Sequence, residues 1–175
     1  MRIRAARTAD AAEIARVHVR AWRAAYVGIV PQPYLDALDP VAKTRTWQEI
    51  LGQPGHRRGV LVAHPAADPQ RIAAFATYAP AGEDHPHRAE LGALYADPDH
   101  WGTGTGRELT AATVTAMREA GYREAVLWVL AENARARRFY ESAGWRPDGT
   151  VVPDDNGGVL LDLLRYARPL TGTQD

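Results

Sequence analysis

The spacing of apolar and polar residues changes period several times along the chain, and each change marks an element. "MRIRAA" alternates over a short run and predicts a first strand; "RTADAAEIARVHVRAWRAAY" then places Ile14, Val17, Ala21 and Ala25 on one helical stripe. Asp10, with Glu13 three positions on, has the spacing of a capping box for that helix. The stripe breaks around Gly28 and Pro31, and "PYLDALDPVAKTRTWQEIL" predicts a second helical stretch that Pro40 must kink or split. "GVLVAH" and "RIAAFATYA" predict two strands joined by the turn "PAADPQ". After the polar loop "GEDHPHR", the mostly apolar strand "AELGALYA" runs into "DPDHWGTGTG". Leu109, Ala112, Ala116, Met117 and Ala120 then form an apolar helical stripe, which Gly121 stops. A strand "EAVLWVL" leads into the helix "NARARRFYESAG", and the tail "VVPDDNGGVLLDLLRYARPL" reads as a loop and a final strand. The order predicts a single α/β domain over residues 1–175.

Composition narrows the function. A chain of 175 residues suffices for one continuous core. Lysine plus arginine and aspartate plus glutamate both count 21, so no global field draws the protein toward nucleic acid or an anionic membrane. Cysteine is absent, which excludes disulfides, thiolate nucleophiles and cysteine zinc sites. The start has no apolar targeting segment and the apolar runs are too short to span a bilayer, so a cytoplasmic protein is expected. His85, His87 and His100 lie in loops with irregularly scattered acids, and no metal site is expected from them.

The stretch "HWGTGTGREL" carries the chemistry. Glycines at 102, 104 and 106 let main-chain amides turn toward one centre, and a helix start adds partial positive charge there, which together suit a phosphate or diphosphate. A tight strand-to-helix turn relieved by glycine is the competing reading. A dinucleotide fingerprint would need glycine where Arg107 stands, and a P-loop would need lysine there.

"WGTGTG", from Trp101 to Gly106, resembles the Q/R-x-x-G-x-G/A acetyl-CoA signature of the GNAT superfamily of N-acetyltransferases, with Trp101 replacing the usual glutamine or arginine. "LWVLAENARARRFYESAGW" resembles the second signature of that family, with Asn133, Ala136, Phe139, Tyr140, Gly144 and Trp145 in register. The resemblance implies a mixed, mostly antiparallel central sheet with a splayed parallel strand pair and flanking helices. It implies acetyl-CoA as acyl donor, with pantetheine along the main chain of Leu94, Tyr95 and Ala96. The diphosphate would lie on Trp101, Gly102, Thr103, Gly104, Thr105, Gly106 and Arg107. Asn133, Ala136, Arg137 and Tyr140 sit at i, i+3, i+4 and i+7 of one helix and would share a face toward the cofactor. The family implies that Asn133 bonds pantetheine and that Tyr140 protonates the departing thiolate. Glu90 is the implied base, with Glu132 as second candidate. Arg135, Arg137 and Arg138 either meet the 3'-phosphate of coenzyme A or are solvated.

"HVRAWRAAYVGIVPQPYLDAL" resembles the substrate-side segment of a bacterial small-amine branch, in which Trp22 and Tyr26, at i and i+4, would wall the acceptor pocket. Carboxylates at Asp36, Asp39, Glu83, Asp84 and Glu90 are available to a polyamine, but their positions along the chain do not show convergence. With neither cysteine nor a serine elbow, direct attack of the amine in a ternary complex is the expected route. A coenzyme A-binding module without catalysis is the alternative, and a nucleic-acid-binding domain a weaker third. Homodimerisation through an edge strand is compatible with the fold.

Overall fold

The structure, a computed structural model, describes residues 1–53 and 55–170. The expectation of one domain over 1–175 extends to residues 171–175, which lie outside the described residues. The chain runs β1 (Arg2–Ala5), α1 (Ala11–Ala25), α2 (Gln32–Asp36), α3 (Pro40–Gly52), β2 (Gly59–His64), β3 (Ala74–Pro80), β4 (Arg88–Ala96), α4 (Thr105–Glu119), β5 (Glu124–Leu130), α5 (Ala134–Ser142), β6 (Arg146–Asp155) and β7 (Leu160–Pro169). The strands form one seven-stranded sheet in the order β1-β2-β3-β4-β5-β7-β6. Among the described residues only β4 and β5 pair in parallel, with α4 as their crossover. This is the mixed sheet with flanking helices that the resemblance implies.

The two faces of the sheet bury different helices. On one, Leu109, Val114 and Met117 of α4 pack with Leu91, Leu127, Trp145 and Tyr166, and Ala136 and Tyr140 of α5 lie against this cluster. On the other, Ile14 and Val17 of α1 and Trp47 of α3 pack with Val62 and Phe75, while α2 contributes Leu35 to a cluster with Val30 and Leu130. Pro40 does divide the second helical stretch: it opens α3 where no amide hydrogen is needed, and the Asp39 carboxylate accepts from the Val41 and Ala42 amides at 2.9 and 3.2 Å.

Three expectations change. Asp10 and Glu13 form no capping box on α1. The Asp10 carboxylate accepts instead from the Arg7 amide at 2.7 Å and from Arg4 at 2.7 and 2.9 Å, and Glu13 pairs with Arg16 at 3.0 Å. The buried face of α4 is rotated from the expected stripe, so that Thr110 and Thr113 are buried while Ala112 and Ala116 are half-buried. The threonine hydroxyls donate to the Gly106 and Leu109 carbonyls at 2.7 and 2.8 Å, which satisfies them without water. The tail segment read as a loop is largely strand: Val151 to Asp155 pair with Leu164 to Leu160 in a hairpin. No helix among the described residues is long and apolar enough to cross a membrane.

Candidate active site

The parallel pairing of β4 with β5 stops early. Arg88, Ala89 and Glu90 pair with Glu124, Ala125 and Val126, but β4 continues to Ala96 and β5 to Leu130 without further partners between them. The edges facing this gap leave main-chain groups available to a ligand. A β-bulge at the Thr77/Tyr78 step of the β3 pairing adds to the irregularity. The gap opens into a cleft of about 540 Å³, lined on one side by Leu91 to Ala96 and on the other by Trp128, Val129 and Leu130.

One end of the cleft is the glycine loop. Gly102 and Gly104 have φ of 76° and 89°, a conformation that L side chains rarely adopt. Gly104 leads directly into α4 and offers no capping side chain, so the first-turn amides of Thr105, Gly106 and Arg107 have no partner within the helix. Gly102, Gly104, Gly106 and Arg107 line the cleft. Thr103 and Thr105 contribute differently: their hydroxyls bond each other at 2.9 Å and Thr103 donates to the His100 carbonyl, which fixes the loop from behind. Asp97 anchors the whole segment. Its fully buried carboxylate is held by Arg16 and Arg20 of α1 and accepts from the Asp99 amide at 3.1 Å.

Trp101 packs as part of the wall. Its indole donates to the Ala96 carbonyl at 2.9 Å, and the Arg135 guanidinium lies 3.6 Å from its ring centroid. Both side chains line the cleft, and burial lowers the pKa of Arg135. Arg135 thus brings to this end of the cleft a positive charge that position 101 lacks.

On α5, Asn133, Ala136 and Tyr140 line the cleft together. The Asn133 oxygen caps the helix by accepting from the Ala136 amide at 3.0 Å, which leaves its NH2 group to donate elsewhere. The Tyr140 phenol packs against Phe139 and Trp145, and burial, reinforced by the nearby Tyr26, raises its pKa so that it is protonated at neutral pH. Arg137 does not join the face expected for it. Its guanidinium donates to the Ala131 carbonyl at 3.1 Å and the Tyr166 hydroxyl at 3.2 Å, and it is absent from the cleft lining.

The other end lies on the α1–α2 side of the sheet. Trp22 and Tyr26 line it with ring centroids 4.7 Å apart, joined by Trp128, Leu163, Asp154 and Asn156. Leu94, Tyr95 and Ala96 line the passage between the two ends. Burial raises the Tyr95 phenol, with Tyr26 and Tyr140 close enough to add to the effect, so three phenols gather around the passage. The indole nitrogen of Trp22 and Nδ1 of His100 are buried without a partner among the described residues, and both side chains line the cleft. Such orphans suit a polar ligand. His18 is not a base for this site: burial and then Lys43 lower its pKa to about 4, Nδ1 accepts from Trp47 at 3.3 Å, and the ring stacks on Tyr95 at 5.2 Å.

Glu90 is the last β4 residue paired with β5, half-buried beside the cleft without being part of its lining. Burial raises its pKa, and the neighbouring Trp128 indole opposes that shift. Glu132 is exposed outside the lining, and Asp36, Asp39, Glu83 and Asp84 do not reach it either. Asp154, Asn156 and Trp128 line the cleft without being marked by the sequence signatures. Among the described residues no group of three His, Asp or Glu could hold a metal ion.

Comparison with known proteins places this geometry in a family. The chain is 30% identical over 172 residues to "Probable N-acetyltransferase Rv2775" of Mycobacterium tuberculosis, covering 95% of this chain and 92% of that one. It is 38% identical over 90 residues to a mycothiol acetyltransferase of Kocuria rhizophila, a match spanning 50% of this chain and 30% of the relative. The fold superposes on the PaiA N-acetyltransferase of Thermoplasma acidophilum, solved in complex with coenzyme A, with a TM-score of 0.73 at 19% identity, over 94% of this chain and 96% of that one. Residues 16–145 match the profile of the Acetyltransferase (GNAT) family, and the chain belongs to that family.

Proposed function

We propose that the protein transfers the acetyl group of acetyl-CoA to a primary amine of a small molecule, as in the small-amine branch, with donor and acceptor bound together. The observation that carries this reading is one continuous cleft that joins the uncapped first turn of α4, the unpaired edges of β4 and β5, and a protonated tyrosine on α5. The donor supplies an activated acetyl thioester.

The chain's own groups divide the work. Amides of Gly102 to Arg107, backed by the guanidinium of Arg135, hold the diphosphate. Main-chain groups of Leu94, Tyr95 and Ala96, with the NH2 of Asn133, align the pantetheine arm and stabilise negative charge on the thioester oxygen. Ala136 gives the helix face room beside that arm, and Trp101 supports Arg135. Trp22 and Tyr26 wall the acceptor. Glu90, whose raised pKa improves its match to an amine, takes the proton released from the nucleophile directly or through water. Tyr140 donates its phenolic proton to the leaving sulfur. Burial weakens the phenol as an acid, but it raises the basicity of a thiolate in the same dry cleft, so the two stay matched.

The test pairs binding with turnover. Coenzyme A should raise the melting temperature, and an amine panel should release thiol. Tyr140→Phe should lower kcat on the order of a hundredfold with coenzyme A affinity nearly unchanged. Equal turnover in the two proteins removes Tyr140 from the mechanism. Stabilisation without thiol release from any amine identifies a coenzyme A-binding module instead.

A further inference from the structure

We infer that the acceptor is a primary amine with no free carboxylate beside its amino group, an inference that rests on the acetyl-transfer reading above. The charges around the cleft are divided between its ends. Arg107 and Arg135 line the end at the glycine loop. The acceptor end is walled by Trp22, Tyr26, Trp128 and Leu163, and its acidic lining residue is Asp154. Glu90 lies behind Trp128, outside the lining.

The cations of neighbouring elements are committed elsewhere. Arg20 bonds Asp97 and Asp99 at 3.1 and 3.0 Å, and Arg23 donates to the carbonyls of Leu35, Asp36 and Leu38. Arg165 lies 5.7 Å from the Trp128 ring centroid, yet its Nε is held by Asp148 at 2.7 Å. Lys43 acts on His18 from α3 and does not line the cleft. Among the described residues, therefore, no uncommitted cation lines the acceptor end.

Asp154 is also held in place. Buried Asn156 donates its NH2 to the Asp154 carboxylate at 2.9 Å and its amide to the Val159 carbonyl at 2.9 Å. Gly157 seats this turn against α2 so closely that a Cβ would come within 2.8 Å of Tyr34. An ammonium entering here meets a positioned carboxylate and aromatic faces, both attractive to a cation. The carboxylate of a free amino acid would enter the same aromatic chamber facing Asp154 with no counter-charge, which is unfavourable by desolvation and by repulsion together.

Matched acceptors differing only in that group test the inference: tyramine against tyrosine and its methyl ester, and cadaverine against lysine. With acetyl-CoA saturating, the decarboxylated member of each pair should have a kcat/KM about tenfold or more above its amino acid, and the ester should behave like tyramine. Asp154→Asn should raise KM for the amines several-fold with kcat little changed and should narrow the preference, while its coenzyme A-dependent thermal shift reports that it is folded. Amino acids used as well as their decarboxylated partners, an unchanged preference in Asp154→Asn, or no use of any member by a protein that binds coenzyme A would each overturn the inference. Failure of the wild-type protein to bind coenzyme A would instead overturn the acetyl-transfer reading.

Discussion

Replacing Asp97 with asparagine removes one negative charge from the point where α1, β4 and the glycine loop meet. The carboxylate is inaccessible to solvent, while the Arg16 and Arg20 side chains that hold it are 27% and 45% exposed. Breaking a fully buried ion pair costs about 3–5 kcal/mol. Here the loss is smaller, because Arg16 keeps Glu13 and the Ile72 carbonyl, Arg20 keeps Asp99, and water screens both. A destabilisation of about 2 kcal/mol follows, or about 4–8 °C in Tm for a chain of this size. The pH dependence has a definite sign. Burial alone would raise the Asp97 pKa, but Arg16, the Asp99 amide and Arg20 outweigh it and hold the value below the usual range. A carboxyl depressed in the folded state stabilises above its unfolded pKa, about 3.9, and the contribution fades as pH falls through the folded value. The gap between wild type and Asp97→Asn should therefore be full at neutral pH and close in strong acid. Thermal denaturation followed by circular dichroism measures it, and coenzyme A titration should show weaker binding as the loop loosens. A neutral-pH Tm difference below about 1 °C, or a gap that persists unchanged in acid, would refute the reasoning.

Other consequences are equally measurable. Arg135→Ala should weaken coenzyme A binding about 5- to 30-fold by calorimetry and flatten its salt dependence, since a charge-assisted contact at a partly exposed site is worth about 1–2 kcal/mol; an affinity within twofold of wild type would exclude Arg135 from the diphosphate site. Because burial raises the Glu90 pKa, the acid limb of kcat/KM should lie above the ordinary glutamate range and disappear in Glu90→Gln. Trp128→Phe should move that limb further up, since the indole opposes the shift; an unmoved limb would separate Glu90 from Trp128.

The parts of the fold visible in the sequence are those set by main-chain needs. Glycines at 102 and 104 and the proline at 40 each satisfy a backbone condition that few residues can meet, so the loop and the α2–α3 division could be read directly. The threonines of α4 were harder to read because a polar residue becomes suitable for burial only once its hydroxyl finds the carbonyl one turn back. The tail hid its strand for a different reason. β6 lies at the edge of the sheet, where Pro147 and Pro153 are tolerated and Asp155 is exposed, giving the composition of a loop. On α5 the resemblance to the second family signature singles out Asn133 and Tyr140, and helical spacing alone adds Arg137, whose guanidinium is instead taken by Ala131 and Tyr166. Asp154 and the Arg135–Trp101 stack depend on contacts between segments distant in sequence, which periodicity cannot supply.

The central claim is that the β4–β5 gap receives the thioester arm with the Tyr140 hydroxyl beside its sulfur. A crystal structure with coenzyme A tests it most directly. The diphosphate should lie on the amides of residues 102–107 and the sulfur within hydrogen-bonding distance of Tyr140. A coenzyme bound outside this gap, or a Tyr140 hydroxyl turned away from the sulfur, would contradict it.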